Sequence, residues 1–230
     1  MSLSVNHRKQ VQYELMLGRE ATSAIAACPV GYLPIGCLER HGDHLPMGLD
    51  VIKAHKACCL AARAIGGVVF PPHHYAGIHR MEEDEEKLFT EDWGNLYTVE
   101  TTGGQLAEII TQIGRIGVKT LVLYSGHYPG SQVEMIRELS ETLSTDSLKI
   151  IPFAEPMVLN GDHAGISETS LLLYLDKPLV DMTRIGPINH EEHHWKPGHH
   201  PEEATSAIGE EQALAIVDYL RVAVDEAYGR

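Results

Sequence analysis

Two carboxylates and two imidazoles fall within twelve residues, in the stretch Glu39-Arg40-His41-Gly42-Asp43-His44-Leu45-Pro46-Met47-Gly48-Leu49-Asp50. Glu39, His41, His44 and Asp50 offer oxygen and nitrogen donors, with no thiolate among them. That mixture suits Zn²⁺ or Mn²⁺ and argues against a closed structural zinc site. Glu39 and His41 are two apart, so on extended backbone they point the same way and could serve neighbouring ions. Asp50 opens a predicted helix, brought back toward the other donors by turns at Gly42 and Pro46-Met47-Gly48. The competing reading is a polar loop that merely follows a strand.

Such donors need rigid elements beneath them. Val30-Gly31-Tyr32-Leu33-Pro34-Ile35-Gly36 is an apolar run of strand length bounded by glycines. Ligands at the carboxyl end of a buried strand lie where open α/β sheets hold their sites. A second strand over residues 119–124 ends the same way, in Ser125-Gly126-His127-Tyr128-Pro129-Gly130, ahead of a helix over 132–143. Further strands are predicted at 68–70 and 148–153, and helices at 10–27, 50–65, 101–116 and 206–228. His55 falls on the apolar side of the second helix, as a core, interface or supporting histidine. Residues 73–95 show no clean periodicity. There the run Glu82-Glu83-Asp84-Glu85-Glu86 reads as a solvated face, with a lid or oligomer contact as the alternative. His73, His74, Tyr75 and His79 could line a pocket. The alternation of strand and helix predicts an α/β fold, a three-layer α/β/α sandwich with a mainly parallel central sheet.

At 230 residues the chain suits one domain, residues 1–230, with no dividing linker. A formal charge of −14 makes nucleic acid and anionic membranes poor partners. No apolar run approaches the roughly 20 residues that span a bilayer, and the N-terminus lacks a hydrophobic signal core. Cys28, Cys37, Cys58 and Cys59 show no metal-type spacing and read as small hydrophobes in a reduced, cytoplasmic protein. Five of the fourteen histidines lie between His190 and His200. Their spacing matches no ordered site, which leaves pocket contact, adventitious metal binding and simple solvation open.

The first stretch strongly resembles the signature of the creatininase (creatinine amidohydrolase) family, a strand followed by Pro-x-Gly-x-x-Glu-x-His-Gly-x-His-Leu-Pro-x-x-x-Asp. Pro34, Gly36, Glu39, His41, Gly42, His44, Leu45, Pro46 and Asp50 all fit. Gly126-His127 matches a family Gly-His, and His163-Ala164-Gly165-Ile166-Ser167-Glu168-Thr169-Ser170 a His-Ala-Gly-x-x-Glu-Thr-Ser element. Pro201-Glu202-Glu203-Ala204-Thr205 resembles the closing motif, so the likeness covers roughly residues 17 to 225.

The resemblance implies a creatininase-like hydrolase with two divalent ions per chain, Zn or Mn, that hold a hydroxide between them. Asp50 would bridge the ions, with Glu39 and His127 completing one set of ligands and His41 belonging to the other. His163 would be the acid–base residue. His79, Tyr128 and Asp162 are candidates for holding a small-molecule substrate, and a homo-oligomer, a hexamer among the options, is implied. Two departures matter. Pro129 stands where creatininase itself carries a carboxylate, so Glu168 is assigned to the second ion. Gly77-Ile78-His79-Arg80 and Gly94-Asn95 replace the usual substrate-loop elements, which points away from creatinine toward another small, cyclic amide. Ring opening of a cyclic ketone or lactone, and a catalytically silent metal-dependent assembly protein, are the alternatives. No nucleophile elbow or phosphate-cradling loop competes.

Overall fold

The computed structural model of the chain describes residues 10–185 and 199–228. Four strands, β1 (Val30–Ile35), β2 (Val68–Val69), β3 (Thr120–Ser125) and β4 (Lys149–Ala154), form one sheet in the order β2-β1-β3-β4, every pair parallel. The helices are α1 (Gly18–Ala27), α2 (Leu49–Ile65), α3 (Glu83–Lys87), α4 (Val99–Arg115), α5 (Gly130–Leu143), α6 (Ile166–Asp176) and α7 (Ser206–Tyr228). Strand side chains alternate between two cores, as a period of two requires. Val30, Tyr32, Val122, Tyr124 and Phe153 pack with α2, α6 and α7. Leu33, Ile35, Leu121, Leu123 and Ile150 pack with α1, α4 and α5 on the other face. This is the predicted three-layer sandwich.

The strand order places the site. From β1 the chain crosses through α2 to β2 on one side, while β3 pairs on the other side of β1. The crevice beyond the carboxyl ends of β1 and β3 is therefore the topological switch point, where such sheets bind ligands. Glu39 follows β1 and His127 follows β3, both at that crevice.

Two segments differ from the sequence reading. The helix predicted over 10–27 starts only at Gly18, because residues 11 and 12 join the sheet edge instead. The Val69 N–H donates to the Val11 carbonyl at 2.8 Å, and a 3₁₀ turn at Tyr13–Leu15 follows. Val11 becomes fully buried there, a tertiary gain that outweighs the helical preference of the segment. The helix start is marked by the Leu17 N–H, which donates to the Glu20 carboxylate at 2.9 Å. The second difference is the acidic run, which forms α3 and continues into a π-helical turn at Leu88–Asp92. Glu83, Asp84, Glu85 and Glu86 occupy its first turn, where carboxylates oppose the positive end of the helix dipole.

Candidate metal centre

Two glycines let the strand ends close on the first turn of α2. A Cβ on Gly36 would lie 2.9 Å from Asp50 Cβ, and one on Gly126 would lie 1.9 Å from the Asp50 carbonyl oxygen. With hydrogen alone at both positions, Asp50 is wedged between the turn carrying Glu39 and His41 and the turn carrying His127.

Asp50 faces two ways from there. Its Oδ2 lies 3.3 Å from His127 Nδ1, and Glu39 Oε2 is 3.0 Å from the same nitrogen. Its Oδ1 lies 3.3 Å from His41 Nε2, with Glu168 Oε2 at 3.7 Å from that nitrogen. All five side chains are buried. Backbone carbonyls orient both rings: His41 Nδ1–H donates to Glu39 O at 2.9 Å, and His127 Nε2–H to Ile78 O at 3.2 Å. The opposite nitrogens are thereby aimed at the carboxylates, the arrangement metal-binding histidines use. The Tyr97 hydroxyl donates to Glu39 Oε1 at 2.8 Å, turning the other oxygen toward His127. One donor atom each from Cys37, Glu39, Asp50 and His127 lies within 4.8 Å of the rest, and the same holds for His41, Asp50 and Glu168. Cys37, read from sequence as a small hydrophobe, thus belongs to a polar cluster.

The field in this cluster suits a cation. Burial by itself would raise Glu39 and Asp50, but the charges of His127 and His41 respectively win and hold both carboxyls well below their ordinary range. Burial would likewise depress His41, yet the Asp50 and Glu168 carboxylates lift it to about 9. Buried anions that keep imidazoles protonated past neutrality form a site that divalent ions fit by charge and by donor type.

Lys53, one turn beyond Asp50 on α2, was passed over in the sequence reading. Its fully buried Nζ donates to Glu155 Oε2 at 2.9 Å and to Glu168 Oε1, and lies 4.7 Å from the centroid of the Tyr128 ring. Glu155 also accepts from the Tyr124 hydroxyl at 3.1 Å, and burial, against the pull of Lys53, raises it to about 7. The one available signal was a lysine among the apolar positions of α2. Glu168 is held at both oxygens. The Tyr128 hydroxyl is 2.8 Å from Oε1, and the Ala164 N–H donates to Oε2 at 2.7 Å.

His163 does not lie on α6 with Glu168. It precedes α6 in a bend where Ala164 has φ 55°, a left-handed conformation that non-glycine residues adopt at a cost of order 1–3 kcal/mol. His163 Nε2–H donates to Arg40 O at 3.0 Å, and its ring centroid is 4.3 Å from that of His41. Burial, then the His41 charge, lowers its pKa.

A cavity of about 590 Å³ opens over these groups. His79, Tyr128 and Asp162 line it, but His73, His74 and Tyr75 do not. The Asp162 carboxylate is engaged in holding α6, accepting the N–H groups of Ser167 at 2.6 Å and Glu168 at 3.1 Å. Phe89 and Trp93, four apart in the acidic segment, form a wall with their centroids 4.7 Å apart; no sequence pattern had singled them out. His44 lies 2.9 Å from Thr169 Oγ1 and ties its loop to α6. His55, half-buried on α2, is 3.6 Å from Cys59 Sγ and outside the cavity. Of the late histidine cluster, His190, His193 and His194 lie outside the described residues. His199 reaches the cavity and accepts the His163 N–H at Nδ1, 3.2 Å away. His200 is exposed and pairs with Glu202 at 3.1 Å.

A model of the Creatininase family, described as creatinine amidohydrolase, matches residues 14–223. A creatinine amidohydrolase from Pseudomonas putida is 31% identical across 72% of this chain and 71% of its own length. The crystal structure of a creatinine amidohydrolase (creatininase) superposes with a TM-score of 0.71 at 25% identity, covering 95% of this chain and 98% of that one. A creatininase variant described as of Zn-Zn type gives 0.72 at 24% identity, over 95% and 98% of the two chains.

Proposed function

This chain belongs to the creatininase family of amide-bond hydrolases, and on that footing we propose that it uses two divalent ions, Zn²⁺ or Mn²⁺, to hydrolyse a small, cyclic amide. The observation that carries this reading is Asp50, one carboxylate with an oxygen 3.3 Å from a donor nitrogen of each of two histidines. In this reading Glu39 and His127 share one ion with Asp50, and His41 and Glu168 share the other. Glu168 thereby takes the place of the carboxylate that Pro129 lacks. Bound there, the ions would supply a water of lowered pKa and polarise the scissile carbonyl.

The side chains do the rest. His163, kept neutral by burial and by the His41 charge, accepts a proton from the attacking water and returns it to the leaving nitrogen. Its hydrogen bond to Arg40 O fixes the tautomer, so Nδ1 is the basic atom. His79 and Tyr128 face the substrate, while Asp162 orders the turn that carries His163. Phe89 and Trp93 keep one side of the cavity apolar. A volume of about 590 Å³ is in the range of small-molecule sites, and a related creatininase variant complexed with creatine fits that class of partner.

Protein purified without chelator should contain about two Zn or Mn per chain, as a shared carboxylate requires. It should hydrolyse at least one member of a panel of cyclic amides and formamides, and chelator should abolish turnover. Full occupancy by a single ion, or turnover that survives chelation, would exclude the reading. Preference for a lactone or cyclic diketone over every amide would move the function to ring opening at a C–C or C–O bond.

A further inference from the structure

We propose that Cys37 is a fourth protein donor to the ion assigned to Glu39, Asp50 and His127, and that its sulfur tunes that position toward zinc over manganese. The inference rests on the two-ion reading and adds to it a ligand outside the motif residues.

Cys37 Sγ lies 3.4 Å from Asp50 Oδ2 and 3.8 Å from Glu39 Oε2. His127 Nδ1 is 3.0 Å from that Glu39 oxygen and 3.3 Å from that Asp50 oxygen. A tetrahedral centre with arms of about 2.0 Å to nitrogen and oxygen and about 2.3 Å to sulfur has donor–donor edges of roughly 3.3 and 3.5 Å. Four of the six edges are fixed by these distances and scatter around those lengths. One donor atom from each of the four residues lies within 4.8 Å of the rest, a spread compatible with a single ion.

Packing keeps the sulfur in place. Cys37 is fully buried, and a Cβ on Gly77 would come within 2.9 Å of Sγ. Cys37 is also not among the residues lining the cavity. Its sulfur therefore approaches from the protein side, and a water reaching this ion from the cavity side would be a fifth ligand, a count that catalytic zinc can take up. Cys58 and Cys59, by contrast, pack among apolar side chains of α2. Ligation breaks the S–H bond: the sulfur lone pair goes to the ion and the proton leaves to solvent. Thiolate is a soft donor that suits zinc, whereas manganese favours oxygen.

The test is to strip the full chain of metal, reload it with cobalt(II) and record its absorption spectrum. Wild type should show a thiolate-to-cobalt charge-transfer band in the near ultraviolet. Cys37→Ser should lose that band while keeping the visible d–d bands of bound cobalt. The zinc-to-manganese affinity ratio of the variant should fall by roughly tenfold or more, a scale at which even outer partners alter metal affinity. If the variant does not fold, X-ray absorption of zinc-loaded wild type decides, with a sulfur scatterer expected at about 2.3 Å. A band that persists in Cys37→Ser belongs to another cysteine and overturns the proposal. Cobalt bound by wild type without the band, or zinc without the sulfur scatterer, removes Cys37 alone. Wild type that binds no metal would remove this ligand together with the two-ion reading beneath it.

Discussion

His163 and Glu168 come from one motif but face different chemistry. In the proposed mechanism His163 handles protons without holding metal, so His163→Gln should lower kcat by about 10²-fold or more and leave metal content intact. Metal loss in that variant would make His163 a ligand. Glu168→Gln should instead release the ion assigned to His41, with metal content falling from about two toward one per chain and activity partly rescued by added metal. Retention of both ions with loss of turnover would make Glu168 an orienting or catalytic carboxylate. A third prediction follows from His41, which the surrounding carboxylates lift to about 9 in the metal-free protein. Its proton competes with metal, so zinc affinity measured by calorimetry should rise from mildly acidic pH up to about 9 and then level. Because the folded pKa is raised, this group stabilises the metal-free fold below its ordinary pKa, and that contribution is lost as pH climbs through about 9. Affinity and metal-free stability should therefore change in opposite directions over this interval. Zinc affinity that is flat with pH would mean that His41 is not a ligand.

At the scale of elements, α2 does two jobs a single turn apart. Its first turn presents Asp50 to both donor sets, and Lys53 crosses to Glu155 beyond β4 and Glu168 on α6. Three segments distant in sequence are thus tied together by one buried ammonium. Lys53→Met would leave two buried carboxylates without their cation, and breaking such a pair costs about 3–5 kcal/mol. Urea denaturation should show a lower midpoint of that order, and adding Glu155→Gln should recover part of the loss by removing one of the stranded charges. An unchanged midpoint for Lys53→Met would mean that the carboxylates are neutralised by other means. The acidic segment behaves differently from this rigid triad. α3 and its π-helical turn expose their charges and turn Phe89 toward the cavity, so a stretch that looks merely soluble also supplies the apolar wall.

For the whole molecule, the family resemblance implies self-association, and apolar side chains remain available at the surface. Leu15 is 58% exposed, Leu17 72% and Val222 58%. Light scattering should return a multiple of the 25.4 kDa chain mass, and a monomeric mass at working concentration would rule the homo-oligomer out. None of the described helices is long and apolar enough to cross a membrane.

Periodicity was enough to determine the layers, and the family resemblance to nominate the proposed donors. Alternation of strands with helices along the chain implied the three layers, and the three short motifs carried Glu39, His41, Asp50, His127, His163 and Glu168. Such signals are local, because each depends on residues a few positions apart. They say which element a side chain belongs to but not what lies across from it. Tertiary structure decided the rest: the oxygen of Asp50 that each imidazole faces, the Phe89–Trp93 wall, and the approach of His199 to His163. It also pulled Val11 out of a predicted helix to pair with β2. Lys53 and Glu155 are 102 positions apart, and Cys37 looks like any buried cysteine until Gly126 lets the first turn of α2 close beside it. Those contacts follow from strand order and helix docking, which bring remote segments within hydrogen-bond distance at the switch point of the sheet.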